Sequence, residues 1–287
     1  MGEEMESKTE GKKTMSLPLI THSKMFYHDS HGEPICAFYK SYDSVANQDE
    51  YLRDMVKHKI TDAVLNICNE ELGTPFSGEF MRSSYDENKL KRLGDFVGRL
   101  KNVGIRSTAA IFDCPPLGNN CKYPYWKHSD RLVPFLQQAV TPLAQIFDAF
   151  VFAIESNEGI PIDIVEYAID IITPLAYRMI GDYRLQIPVG THEQNVGRNK
   201  KGKLYLKRRV PRNAHFHGYE TMNHPYKGYE VPAARMIEEV RFLANHSGGI
   251  PIWVMESNNI ANQLAKDQNN GMAAIPGVIG VDGVMGK

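Results

Sequence analysis

The sequence predicts an α/β protein of the (β/α)8 barrel class. From residue 24 onward, short apolar runs alternate with amphipathic stretches, the pattern of repeated βα units around a parallel sheet. There are eight such runs, and 287 residues accommodate one barrel of about 250 residues. Composition agrees: 42% hydrophobic and 23% charged residues match globular domains and argue against disordered, fibrous and coiled-coil classes.

Along the chain, residues 1–14 are polar and read as a solvated tail, and the barrel is assigned to 15–287. Residues 24–35 fit a hairpin closing the barrel bottom. One unit shows the periodicity clearly. Leu90, Leu93, Phe96, Val97, Leu100 and Val103 recur at three- and four-residue steps, with Lys89, Lys91, Arg92, Asp95, Arg99 and Lys101 between them, which predicts a helix lying on a sheet. Gly104 is its stop, and 105–112 follows as a buried strand. The same reading places strands at 35–38, 63–67, 105–112, 150–154, 185–189, 215–219, 252–255 and 278–281. Helices are expected at 48–58, 86–103, 130–146, 161–180, 232–245 and 259–268. Segment 195–213 carries eight cations without apolar periodicity, so the fifth helix should be short or replaced. No eighth helix is expected. That flank would then be covered by segment 15–20 or, through a two-fold contact, by a second subunit, so a homodimer is one expected assembly.

Charge and cysteine usage narrow the function classes. With 33 basic and 34 acidic residues the net charge is 33 − 34 = −1, so no global field attracts nucleic acid or anionic membranes. The start lacks the apolar region of a secretory signal, and no run of 18 apolar residues suggests a membrane span. Cys36, Cys68, Cys114 and Cys121 are scattered and form no C-x-x-C pair, which points to reduced thiols. A cytoplasmic location, or release without a signal peptide as by host lysis, is the expectation.

In such a barrel the active groups lie at the carboxyl ends of strands. The fourth strand runs into Glu155-Ser156-Asn157-Glu158, and the seventh runs Ile252-Trp253-Val254-Met255 into Glu256. Two carboxyl groups across a barrel mouth suit glycoside hydrolysis, one acid protonating the leaving oxygen and one anion attacking or activating water. Asn157-Glu158 and the Pro-led apolar strand ending in Glu256 resemble the clan A glycoside hydrolases, and within them the family-five cellulases and mannanases. The resemblance implies Glu158 as acid/base and Glu256 as nucleophile, 256 − 158 = 98 residues apart, in a retaining reaction on a β-linked oligo- or polysaccharide that needs no cofactor and no metal. Glu155 is the alternative acid/base, because Glu155-Ser-Asn repeats locally as Glu256-Ser-Asn.

The resemblance also implies that Asn157 binds the sugar 2-hydroxyl, that His215 or His217 contacts substrate, and that Tyr219 hydrogen-bonds the nucleophile. Departures from the family pattern put Asn66, Cys68 and Asn69 where it has an Arg after the second strand, and Asp113 where it has a His after the third. Asp282 follows the eighth strand in place of Trp, and Gly159 stands in place of Pro. Tyr123, Tyr125 and Trp126 form an aromatic cluster suited to stacking sugar rings, or to packing a long loop on the rim.

Two other classes compete. His192, His215, His217 and Asp282 can be read as metal ligands, resembling the amidohydrolase superfamily, although the His-x-His which that superfamily needs on the first strand is absent. A catalytically silent carbohydrate-binding barrel is the third class. The cations of 198–212 could clamp an anionic polymer or form a solvated surface.

Overall fold

The structure, a computed structural model, describes residues 36–38, 45–57, 62–68, 87–112, 129–153, 156, 159–220, 233–259 and 275–284. In chain order these form β1 (Cys36–Phe38), α1 (Val45–Lys57), β2 (Asp62–Cys68), α2 (Glu87–Asn102), β3 (Arg106–Phe112), α3 (Ser129–Ala144) and β4 (Ala149–Ala153). Next come α4 (Ile162–Leu175), β5 (Tyr177–Ile180), β6 (Tyr183–Gln186), β7 (Val189–Glu193), β8 (Val196–Arg198) and β9 (Leu204–Leu206). The chain then continues through β10 (Phe216–Glu220), α5 (Ala233–His246), β11 (Ile252–Asn259) and β12 (Val278–Val284). Eight of the strands pair in parallel in the order β1-β12-β11-β10-β7-β4-β3-β2, and β1 pairs with both β12 and β2. This curled parallel sheet is the TIM-like barrel expected from the alternation.

The helices form for the reason the periodicity gave. In α2, Leu93, Phe96, Val97 and Leu100 are buried, and the helix ends in a Schellman turn. Gly104 at φ 83 donates its amide to the Lys101 carbonyl at 3.0 Å, and Ile105 donates to the Leu100 carbonyl at 2.9 Å. The left-handed residue there is the glycine, which has no Cβ to strain.

Side-chain alternation divides each strand between two compartments. Outward residues such as Leu65, Ile111, Phe150 and Val189 join helical residues in one large core. Inward residues Val64, Ala110, Ala149, Val151, Phe216, Trp253 and Met255 fill the lumen. The two large rings, Phe216 and Trp253, pack with centroids 5.4 Å apart. Small residues make room for them: a Cβ on Gly190 would sit 2.4 Å from the Phe216 ring, and one on Gly218 would sit 2.3 Å from Met255 Sδ and from the Thr191 carbonyl oxygen.

Two expectations are corrected. The fourth helix does not run to residue 180. It ends at Leu175, after Pro174 in its last turn, and Tyr177–Ile180 pairs antiparallel with Tyr183–Gln186 around Gly181 at φ 59. Arg178 of that hairpin donates to Asp148 Oδ1 at 2.7 Å, fixing it to the start of β4. The fifth barrel strand is 189–193 rather than 185–189; all five of its residues are buried. The fifth helix is replaced, as foreseen in outline, by the antiparallel hairpin of β8 and β9. The helix expected at 259–268 lies outside the described residues, apart from Asn259, which is the end of β11. The tail 1–14, the hairpin at 24–35 and everything after Val284 lie outside them too.

Candidate active site

The sheet sets which predicted residues share a compartment. β7 and β10 are in register as Phe216↔Gly190, His217↔Thr191, Gly218↔His192 and Tyr219↔Glu193. Phe216 is in the lumen, so alternation puts Gly190, His192, Gly218 and Glu220 on the inner face, and Thr191, Glu193, His217 and Tyr219 on the outer face.

That parity corrects the substrate-binding expectations for three residues. Tyr219 is buried among Val196, Met236, Val240, Leu243 and Val254, between the sheet and α5. Its hydroxyl has no hydrogen-bond partner among the described residues, and burial pushes the phenol well above its ordinary pKa. It is on the wrong face to reach a nucleophile at the barrel mouth. His215 precedes β10, at the amino end of the sheet, where its Nδ1 accepts from the Val189 amide at 3.0 Å, opposite to the end at which the site is expected. His217 is fully buried on the outer face, under the β8 and β9 hairpin. His192 stays a candidate, fully buried in β7 on the lumen side. Because His192, His215 and His217 occupy the lumen, the amino end and the outer face respectively, they cannot converge on one ion, which removes the amidohydrolase-like reading. Among the described residues no group of three or more metal-binding side chains occurs.

On the outer face a connected polar network takes the place of helix packing. His217 Nε2 lies 2.9 Å from Asn195 Oδ1, and His217 Nδ1 lies 2.7 Å from Thr191 Oγ1. Asn195 Nδ2 donates to Glu193 Oε2 at 3.4 Å, so Asn195 Oδ1 must face the imidazole. That assigns the proton to Nε2 and makes Nδ1 the acceptor of the threonine hydroxyl. Glu193, also fully buried, accepts from Ser156 Oγ at 2.6 Å, from Arg208 Nε at 3.3 Å and from Arg208 Nη2. Burial pushes its carboxyl pKa up, while Arg208 and Ser156 pull against that shift.

The His217 ring is pushed down to about 3, by burial first and then by the nearby His192 and Arg208. An unfolded histidine titrates near 6.5. The unfolded chain therefore takes a proton that the folded chain refuses. Stability is retained above about 6.5 and lost as pH falls toward 3, by on the order of 4 kcal/mol. His217→Gln is expected to flatten that part of the acid dependence, read as the urea midpoint between pH 7 and pH 4.

Toward the carboxyl end of the barrel the register brings Glu220 and Glu256 opposite each other. β11 carries one extra residue against β10: Tyr219 pairs with Val254, but Glu220 pairs with Glu256. Such bulges re-aim strands beside active sites, and this one sets Glu256 at the register position of Glu220. Glu220, 7% exposed, is not among the sequence candidates because the predicted strand ends at Tyr219. The signal that found Glu256, a carboxylate closing an apolar strand, would have found it. Asn66 lies in β2 opposite Ala110, and Asp282 in β12 opposite Cys36. β4 ends at Ala153, and Ser156 donates its amide to the His192 carbonyl at 3.0 Å, which fixes that point of the chain against β7. Glu155, Asn157, Glu158, Asp113, Tyr125 and Trp126 lie outside the described residues.

The basic segment is largely engaged within the fold. Arg198 donates to Glu238 at 2.7 Å, and Arg208 pairs with Glu193. Arg209 pairs with Glu166, whose carboxyl is held at about 2, chiefly by that hydrogen bond. These pairs tie β8 to α5, and the chain after β9 to β7 and α4. No described helix is long and apolar enough to cross a membrane.

No family profile and no curated protein matches the sequence. The fold does have solved counterparts. One is a GH5_18 protein from Bifidobacterium longum subsp. longum, at 10% identity and TM-score 0.59, covering 87% of this chain and 69% of that one. An exo-beta-1,4-mannosidase from Opitutaceae bacterium strain TAV5 matches at 12% identity and TM-score 0.58, over 93% of this chain and 54% of that one. An endo-1,4-beta-mannanase from Rhizomucor miehei matches at 9% identity and TM-score 0.56, over 88% and 86%. The chain thus spans about half to most of the length of these proteins. Together with the cyclic order of its parallel strands, the likeness shows that this chain shares the TIM-like barrel fold of these solved glycoside hydrolases.

Proposed function

We propose that the protein is a glycoside hydrolase that cleaves a β-linked oligo- or polysaccharide with retention. The observation that supports this reading is Glu256, which follows the apolar run of β11 and is set by a bulge into register with Glu220; in sequence, Glu155 and Glu158 follow β4. In the reaction the Glu256 carboxylate attacks the anomeric carbon while Glu158 gives its proton to the leaving oxygen. Glu158 then takes a proton from water, which displaces Glu256 and releases the sugar. Glu155 is the alternative to Glu158. Asn157 and His192 are assigned to sugar binding, and Trp126, Tyr125, Asp113 and Asn66 to the surrounding cleft.

β-Mannosides are the first substrates to try. The exo-mannosidase and mannanase share the fold, and GH5_18 proteins of Bifidobacterium longum and Streptomyces cattleya bind Manβ1-4GlcNAc. The test is hydrolysis of aryl β-mannosides, β-glucosides and manno-oligosaccharides, followed by proton NMR. The β-anomer is expected as first product, and the two carboxyl groups should lie about 5 to 5.5 Å apart. The α-anomer first would replace retention by inversion. No turnover on any β-glycoside, with binding retained, would leave a carbohydrate-binding barrel.

A further inference from the structure

Ser156 and Ile160, which flank Asn157 and Glu158 in the chain, are both held by one side chain that follows a distant hairpin. Arg208, two residues after β9, donates from Nη1 to the Ile160 carbonyl at 2.7 Å and reaches the Ser156 carbonyl at 3.5 Å. Its Nε and Nη2 grip Glu193, whose Oε1 also accepts the Ser156 hydroxyl. The Ser156 amide is bound to the His192 carbonyl, and the Ile160 amide donates to the Ser156 carbonyl at 3.2 Å. Both ends of the stretch that contains Asn157 and Glu158 are therefore fixed to β7 through a planar guanidinium whose fork makes several directed bonds at once. The barrel lacks a helix at this place, and what covers it instead touches the strand-four loop.

We propose that Arg208 is a positioning residue which, through Glu193 and Ser156, fixes the geometry of the acid/base segment, so that the hairpin replacing the fifth helix is part of the catalytic apparatus. Arg208 touches no substrate; it acts through the loop. This rests on the glycosidase reading above. A misplaced acid costs rate in proportion to how much the leaving group needs a proton, a dependence that general loss of structure does not produce.

The experiment compares the full chain with Arg208→Lys, which keeps the charge opposite Glu193 but loses the fork, and with Ser156→Ala, which removes only the hydroxyl donor. Arg208→Lys is expected to lower kcat on phenyl β-glycosides by on the order of 100-fold, with KM changing about twofold or less. Glycosylation by 2,4-dinitrophenyl β-glycosides, which need no protonation, should fall by less than about threefold. Azide, which attacks without a base, should restore turnover of the accumulated glycosyl-enzyme. Hydrogen exchange at the Ser156 and Ile160 amides should quicken about tenfold, while amides of α2 stay unchanged. Ser156→Ala should shift both readings in the same direction by less.

Equal losses on both leaving groups, or unchanged exchange at 156 and 160, would overturn the proposal. If the unsubstituted chain turns over no β-glycoside, the glycosidase reading falls and the catalytic half of this proposal with it, while the exchange arm still decides whether the tether exists.

Discussion

Glu256→Gln is expected to lower kcat by on the order of 10⁴- to 10⁶-fold, the loss that follows removal of a covalent nucleophile. Glutamine keeps the size of the side chain and its ability to accept a hydrogen bond, so substrate binding and folding should change little. The result is read most cleanly with a dinitrophenyl β-glycoside. That substrate needs no acid for bond breaking, so a surviving rate on it would remove Glu256 from the nucleophile's role. The matching Glu158→Gln variant should behave oppositely, losing rate on poor leaving groups and sparing good ones. If Glu155→Gln shows that pattern instead, the acid/base assignment moves by three residues. If neither does, the acid lies elsewhere on the rim, and Glu220, in register with Glu256, becomes the first residue to test.

The second large effect concerns stability. Glu193 is fully buried and takes hydrogen bonds from Ser156, Asn195 and Arg208. Glu193→Leu leaves a guanidinium, a hydroxyl and a carboxamide without their shared acceptor. Breaking a buried pair from one side typically costs about 3 to 5 kcal/mol. For a chain of this size that is a fall in the melting temperature on the order of 10 °C. Replacing both partners, as Glu193→Leu with Arg208→Met, should recover much of the loss, because apolar pairs of similar volume often match a buried ion pair. If the double variant is no more stable than the single one, the remaining contacts of Ser156 and Asn195, rather than the charge left behind, account for the cost.

How far the sequence could be read depended on which physical signal each element carries. α2 and β3 were legible because their apolar residues keep one period and a glycine stands where the turn needs it. Glu256 was legible because a charge closing an apolar run is conspicuous. β7 was not: Val189-Gly-Thr-His-Glu193 presents polar groups on both faces and is nevertheless wholly buried, so hydropathy pointed to the apolar residues just before it. Nothing local announces that Glu193 finds partners in Asn195, Ser156 and Arg208, or His217 in Asn195 and Thr191, between 2 and 37 residues away. The faces of β10 were undecidable for a related reason. His215, His217 and Tyr219 share one parity in the chain, but only the seating of Phe216 beside Trp253 in the lumen settles that this parity faces out.

The polar outer face of β7 also bears on the order in which the chain can fold. β2, β3 and β4 with α2, α3 and α4 can collapse on apolar contacts alone, and those elements are close in sequence. β7 cannot complete its burial that way, because docking it without the hairpin would strand the Glu193 charge and the His217 ring in a dry compartment. Strand and hairpin therefore enter as one cooperative unit, late, since loops of tens of residues must close first. In pulse-labelled hydrogen exchange, protection of 189–193 and of 196–206 should rise with a single rate constant, slower than that of 106–112. Protection of 189–193 in advance of the hairpin would show that the strand tolerates its unpaired charge in an intermediate.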